Sequence, residues 1–172
     1  LIDKIVIATT DLDRDVVIND MQKHVNKPDD LILFPWATAS IRRLKEAGFM
    51  VFVVTNQGGI EMGYFTEEDL NQIHARLEVL LKEDDTYVDD IEFCPHFNEE
   101  CECRKPKPGM ILSLAKRHDV DLDSSWMVGD RNTDILAGNE AGCKTIKLGD
   151  IFRKADYTCD NLKEAVDYIL NN

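Results

Sequence analysis

The chain has 172 residues, with 20 Lys and Arg against 33 Asp and Glu, a formal net charge of -13 and 44% hydrophobic residues. That length suits one globular domain, 1–172, around a single core. The carboxylate excess works against nucleic-acid backbones and anionic membranes, which need clustered Lys and Arg, and no apolar run is long enough to span a bilayer.

The start, Leu1-Ile2-Asp3-Lys4, has no basic segment followed by an apolar one, so no secretion signal is expected. Residues 4–10 (KIVIATT) are β-branched and apolar, which predicts a buried strand running straight into Asp11, Asp13 and Asp15. After Pro35 a helix is expected with Ala37, Ile41 and Leu44 on one face, stopping near Gly48. A second buried strand follows over 49–55 (FMVFVVT). Thr66 caps a longer helix with Glu68 and Asp69 in its first turn and Leu70, Ile73, Leu77, Leu80 and Leu81 inward.

A short strand over 91–94 comes next, then a helix opened by Pro108 with Ile111, Leu114 and Ala115 inward, and a strand over 125–128. The pattern closes with a helix over 133–141, a strand over 144–148, a brief extended piece and a final helix carrying Leu162, Ala165, Val166 and Ile169. Strands alternating with helices predict an α/β fold: a Rossmann-like, doubly wound parallel sheet with helices on both faces. Ligands in such sheets bind at the carboxyl ends of the strands.

Five cysteines make an odd count, and Cys94, Cys101 and Cys103 crowd with His96 into one stretch. Four soft or borderline ligands in one loop are what a closed tetrahedral zinc site requires, and a metal use of cysteine fits a reducing, cytoplasmic setting. Cys143 and Cys159 read as core or surface thiols. His74 and His118 read as solvent-facing helix residues, Trp126 as core, and Glu83-Asp84-Asp85 as a solvated helix end.

The predicted strand ends carry Asp13-Arg14-Asp15, Thr55-Asn56-Gln57-Gly58-Gly59, Arg104-Lys105 beyond the Cys/His cluster, and Gly129-Asp130-Arg131-Asn132-Thr133-Asp134. Two carboxylates two apart, joined by a third from a neighbouring strand, form a hard-oxygen site suited to Mg²⁺. Thr55, Asn56 and Lys105 add donors for phosphoryl oxygens. This constellation reads as phosphoryl transfer to a carboxylate.

On D-R-D-V-V-I-N at 13–19, V-T-N-Q-G-G-I at 54–60, C-P-H followed by C-E-C-R-K-P at 94–106, and M-V-G-D-R-N-T-D at 127–134, the chain resembles the haloacid dehalogenase superfamily of phosphatases. Within it the likeness is to the zinc-containing branch of D-glycero-D-manno-heptose 1,7-bisphosphate phosphatases and histidinol-phosphate phosphatases. The resemblance implies a haloacid dehalogenase-like fold with a zinc-binding loop and no large cap domain. It implies Asp13 as the nucleophile, Asp15 as the general acid and base, and Thr55 and Lys105 as catalytic supports of the phosphoryl group. Mg²⁺ would be held by Asp13, Asp15 and Asp130, with Asp134 close by, and structural Zn²⁺ by Cys94, His96, Cys101 and Cys103. Arg14, His24, Asn56, Gln57, Gly58 and Arg104 would bind substrate.

An alternative register takes Asp11 and Asp13 as the acidic pair, but Ile18 and Asn19 fall in the family's places only when Asp13 leads. The pattern departs at Val16, where the family has Gly, and at Met62, where the heptose phosphatases commonly carry Arg. The expected protein is a monomeric, cytoplasmic phosphatase of a small phosphorylated sugar or amino alcohol, heptose bisphosphate ahead of histidinol phosphate. A polynucleotide 3′-phosphatase, sharing a T-N-Q-x-G-I segment, and a non-catalytic phosphate-binding zinc domain are the competing readings.

Overall fold

The computed structural model describes residues 5–9, 17–18, 25, 27–98 and 100–172. Six strands, β1 (Ile5–Thr9), β2 (Met50–Asn56), β3 (Asp90–Cys94), β4 (Trp126–Gly129), β5 (Lys144–Leu148) and β6 (Tyr157–Cys159), form one sheet in the order β3-β2-β1-β4-β5-β6. Every pairing is parallel, with Thr9 opposite Val54, Ala8 opposite Val128 and Asn56 opposite Cys94. The chain winds outward from β1 through β2 to β3, then returns to β4 on β1's other side. The crevice beyond β1 and β4 is therefore the switch point at which such sheets bind ligands.

Among the described residues five α-helices cover the sheet: α1 (Pro35–Glu46), α2 (Glu67–Glu83), α3 (Gly109–His118), α4 (Asn132–Ala141) and α5 (Leu162–Leu170). Strand alternation divides the core. Val51, Val53, Trp126 and Val128 pack with Ala37, Ile41 and Leu44 of α1, Ile73, Leu77 and Leu81 of α2, and Val166 and Ile169 of α5. Phe52, Val54 and Met127 face the other way, against Met110, Ile111 and Leu114 of α3 and Ala137 of α4. The expected inward stripes of these helices are buried, apart from Leu80, which is partly buried against the core.

The ends are set locally. Proline opens α1, whose chain reverses through Gly48 at φ +85, a conformation costly for any residue with a Cβ. Thr66 and Asp69 form a reciprocal capping box on α2, the Asp69 N–H donating to Thr66 Oγ1 at 3.1 Å and the Thr66 N–H to Asp69 Oδ2 at 2.8 Å. Such a cap contributes about 1 kcal/mol.

Two expectations change in the structure. His118 is not solvent-facing: its Nε2 lies 2.7 Å from Asp90 Oδ2, and its ring lies 4.8 Å from that of Phe52. His74 is partly buried, its ring edge-on to Phe93 at 6.1 Å, and burial pushes its imidazole down to about 4. Between β5 and β6 the chain crosses through 149–156 with no helix, as the expected strand followed by a brief extended piece implied, and both strands run parallel. Cys143, Cys159 and Trp126 are buried, as expected. No helix among the described residues is long and apolar enough to cross a membrane.

Candidate active site

β2 is buried along its length, so the chain emerges at its carboxyl end with Thr55 fully enclosed and Asn56 at the rim. The Gln57 carboxamide donates to Thr55 Oγ1 at 2.7 Å, and the Gln57 N–H donates to the Cys94 carbonyl at 2.7 Å. Gln57 thus orients the Thr55 hydroxyl and ties the end of β2 to that of β3. The Asn56 side chain pairs with the Lys105 backbone in both senses: Nδ2 donates to the carbonyl at 3.1 Å and Oδ1 accepts the N–H at 3.0 Å. One carboxamide thereby fixes where Lys105 leaves the loop after β3.

The Lys105 ammonium is delivered inward. Its side chain is 1% exposed, and Nζ sits 2.8 Å from Asp134 Oδ1 and 3.3 Å from the Val54 carbonyl it donates to. Asp134 stands in the first turn of α4, where its other oxygen accepts the Arg131 N–H at 2.9 Å. This carboxylate reaches under β4 because Gly129 has no side chain: a Cβ there would lie 2.3 Å from Asp134 Cβ. The glycine of the G-D-R-N-T-D segment therefore makes room for the partner of Lys105, a pairing that motif spacing alone does not reveal. Asp130 follows β4 directly and is partly buried. Asp13, Arg14, Asp15 and His24 lie outside the described residues, as does Val16; they follow β1, whose end neighbours those of β2 and β4.

The loop after β3 gathers the four soft ligands. The Cys94, His96, Cys101 and Cys103 ligand atoms all lie within 4.8 Å of one another. His96 Nδ1 is 3.6 Å from Cys94 Sγ and 3.4 Å from Cys103 Sγ, and Cys101 Sγ is 3.5 Å from both other thiols. Tetrahedral zinc, with Zn–S of about 2.3 Å, sets ligand–ligand edges of about 3.7 Å, so these four spacings suit it; the Cys94–Cys103 pair, at 2.8 Å, is tighter. All three cysteines are free thiols. Burial pushes the Cys94 and Cys103 thiols up; at Cys101 burial is outweighed by donation from the Arg104 N–H and from Cys103 and Cys94, which brings it down to about 7. Deprotonated together, three thiolates so close would need a cation between them, and the donor set fits zinc.

Arg104 leaves this loop with its Nη1 donating to the His96 carbonyl at 2.7 Å. Gly58 packs against the same stretch: a Cβ there would lie 3.0 Å from Phe97 Cα and 3.2 Å from Arg104 Nη1. The described candidates Thr55, Asn56, Gln57, Gly58, Arg104, Lys105 and Asp130 thus all lie at the carboxyl ends of the strands or in the loops that follow them. Asp134, expected only to lie close by, is the direct partner of Lys105.

A model of the HAD-hydrolase-like family matches residues 102–171. The chain is 40% identical over 164 residues to the D-glycero-beta-D-manno-heptose-1,7-bisphosphate 7-phosphatase of Helicobacter pylori, covering 92% of this chain and 94% of that protein. It is 41% identical over 139 residues to the enzyme of the same name from Rhodopseudomonas palustris, covering 76% and 77% of the two chains. Among solved structures, the D,D-heptose 1,7-bisphosphate phosphatase of B. bronchiseptica, complexed with magnesium and phosphate, superimposes with a TM-score of 0.84 at 32% identity over 98% of each chain.

Proposed function

This chain belongs to the haloacid dehalogenase-like phosphatases, among the D-glycero-D-manno-heptose 1,7-bisphosphate 7-phosphatases, and on that premise we propose that it hydrolyses the 7-phosphate of such a heptose bisphosphate. The observation that carries the reading is the buried Lys105 ammonium, held by Asp134 and the Val54 carbonyl, with the enclosed Thr55 next along β2, at the end of the sheet where Asp13 and Asp15 follow β1 in the chain.

In this reading the Asp13 carboxylate attacks phosphorus and the bond to the leaving sugar oxygen breaks, while Asp15 supplies that oxygen with a proton. Asp15 then takes a proton from water, which attacks the aspartyl-phosphate, frees inorganic phosphate and restores Asp13. Lys105 and Thr55 steady the phosphoryl oxygens, and Asn56 and Gln57 hold those two groups in place. Arg14, His24, Gly58 and Arg104 would bind the substrate.

Asp13, the Asp15 main-chain oxygen and Asp130 would hold Mg²⁺, which when bound neutralises charge spread over the phosphoryl oxygens. Cys94, His96, Cys101 and Cys103 would hold structural Zn²⁺ and stiffen the loop that presents Arg104 and Lys105. The proposal includes a single phosphatase domain acting as a cytoplasmic monomer without a nucleic-acid partner, in line with the net charge of -13.

The test supplies both anomers of D-glycero-D-manno-heptose 1,7-bisphosphate with Mg²⁺ and follows phosphorus NMR. Loss of the 7-phosphate resonance and growth of inorganic phosphate is the expected result. Faster turnover of histidinol phosphate or of a 3′-phosphorylated oligonucleotide would replace the substrate assignment, and no release from any of them would overturn the phosphatase reading.

A further inference from the structure

The loop after β2 carries a carboxylate that none of these steps uses. Glu61 Oε2 accepts the main-chain N–H of Phe97 and that of Asn98, the latter at 3.4 Å, while Oε1 accepts the Asn98 side-chain amide at 3.3 Å. Its own N–H donates to the Pro95 carbonyl at 3.2 Å. All four bonds end on 95–98, the part of the metal loop between the Cys94 and Cys101 ligands. Donation from the Phe97 N–H holds the Glu61 carboxyl below the usual range against the opposing effect of burial, with Asn98, His96 and Arg104 adding to it. At neutral pH the acceptor is a carboxylate.

The same stretch supports Arg104 from its other side. The guanidinium donates to the His96 carbonyl at 2.7 Å and lies 5.8 Å from the centre of the Phe97 ring, which is 55% exposed. Lys105, one residue on, rests on different partners: Asn56, Val54 and Asp134. A shift of 96–98 would therefore reach Arg104 before it reaches the ammonium that faces the phosphoryl group.

We propose that Glu61 is a positioning residue whose carboxylate fastens the metal loop to the loop after β2, so that Arg104 is held toward the substrate. The substrate arm rests on the phosphatase reading above; the fastening does not. Because Lys105 is anchored separately, Glu61 governs substrate capture more than the chemical step.

The test compares the parent with Glu61→Ala and Glu61→Gln, each with its zinc bound. Amide hydrogen exchange at Phe97 and Asn98 is expected to accelerate about tenfold in the alanine variant, and transfer of zinc to a chromogenic chelator to quicken several-fold. KM for the heptose bisphosphate is expected to rise about five- to tenfold with kcat changed less than about twofold. Glutamine keeps one oxygen for the Phe97 N–H and should recover most of each effect. Unchanged amide exchange in Glu61→Ala overturns the proposal, and faster exchange with unchanged KM overturns the positioning role. If the parent releases no phosphate, the functional reading fails while the exchange and zinc measurements still decide whether the fastening exists.

Discussion

The Cys/His loop and the proposed phosphate site lie side by side but are assembled differently. One loop, 94–103, contains all four ligand atoms of the cluster, and those atoms sit within 4.8 Å of one another. The phosphate site draws Thr55 from β2, Lys105 from beyond β3, and Asp130 and Asp134 from beyond β4, so it exists only once the order β3-β2-β1-β4 has formed. The loop can be damaged with the sheet intact. The phosphate site cannot be assembled without the sheet, and its buried charges make single changes there costly to both activity and folding.

The largest effect expected separates chemistry from both scaffolds. Asp13→Asn should abolish detectable turnover while leaving fold and zinc content unchanged, because an amide is neither an anionic nucleophile nor a good Mg²⁺ ligand. Circular dichroism, elemental analysis and a phosphate-release assay check this together. Should Asp11→Asn prove lethal and Asp13→Asn retain rate, the acidic pair is Asp11 and Asp13 instead.

Lys105→Met strikes the distributed site at its buried pair. It should lower kcat about 10² to 10³-fold and, by leaving Asp134 without its cation at a position 1% exposed, destabilise the fold by about 3–5 kcal/mol. Urea unfolding and kinetics measure the two losses. A variant that loses rate without stability would mean that Asp134 finds other partners when the ammonium is removed.

Cys101→Ser is the matching insult to the local site and should behave differently. Zinc content should fall and phosphate recognition weaken, with KM rising about tenfold, while the sheet unfolds near the parent's urea midpoint. Mild chelation makes the same distinction without mutation: EDTA should stop turnover before zinc leaves, and Mg²⁺ alone should restore it. Full zinc content and parental kinetics in Cys101→Ser would remove the structural-zinc assignment.

The two plans also explain what the sequence could show. Cys94, His96, Cys101 and Cys103 are close in the chain, so their spacing already declares a cluster, and the apolar stripes of α1, α2, α3 and α5 declare their buried faces. Motif order brought Thr55, Lys105 and Asp130 to strand ends. It did not show that Asp134 grips Lys105, since that contact depends on Gly129 leaving space between β4 and α4. Nor did it single out Glu61, since two of the groups that donate to its carboxylate, the Phe97 and Asn98 N–H, are backbone amides of a loop far along the chain and leave no mark in the sequence. The helix-free step from β5 to β6, by contrast, was legible as a strand followed by a brief extended piece; what was hidden is its fastening, the Asp156 carboxylate accepting the Thr145 N–H at 2.7 Å and hydroxyl at 3.1 Å.

The smallest effect concerns acid, to which both regions are exposed for different reasons. Acid would release zinc from the loop by protonating its ligands, whereas His74 acts through the sheet: its ring packs between α2 and Phe93 of β3, and burial holds it neutral down to about 4. In the unfolded chain this imidazole titrates near 6.5. Between those values the unfolded state takes up a proton that the folded state refuses, so the stabilisation is fully present above 6.5 and is lost as pH falls toward 4. His74→Leu removes this proton uptake but keeps the zinc loop, so subtracting one chain from the other isolates the histidine. Urea unfolding at pH 7 and pH 4.5 should show the variant gaining about 2 to 3 kcal/mol on the parent across that interval. An equal loss of stability in both chains would place the acid sensitivity elsewhere, with the zinc loop the first candidate, and would mean that His74 is protonated within the fold.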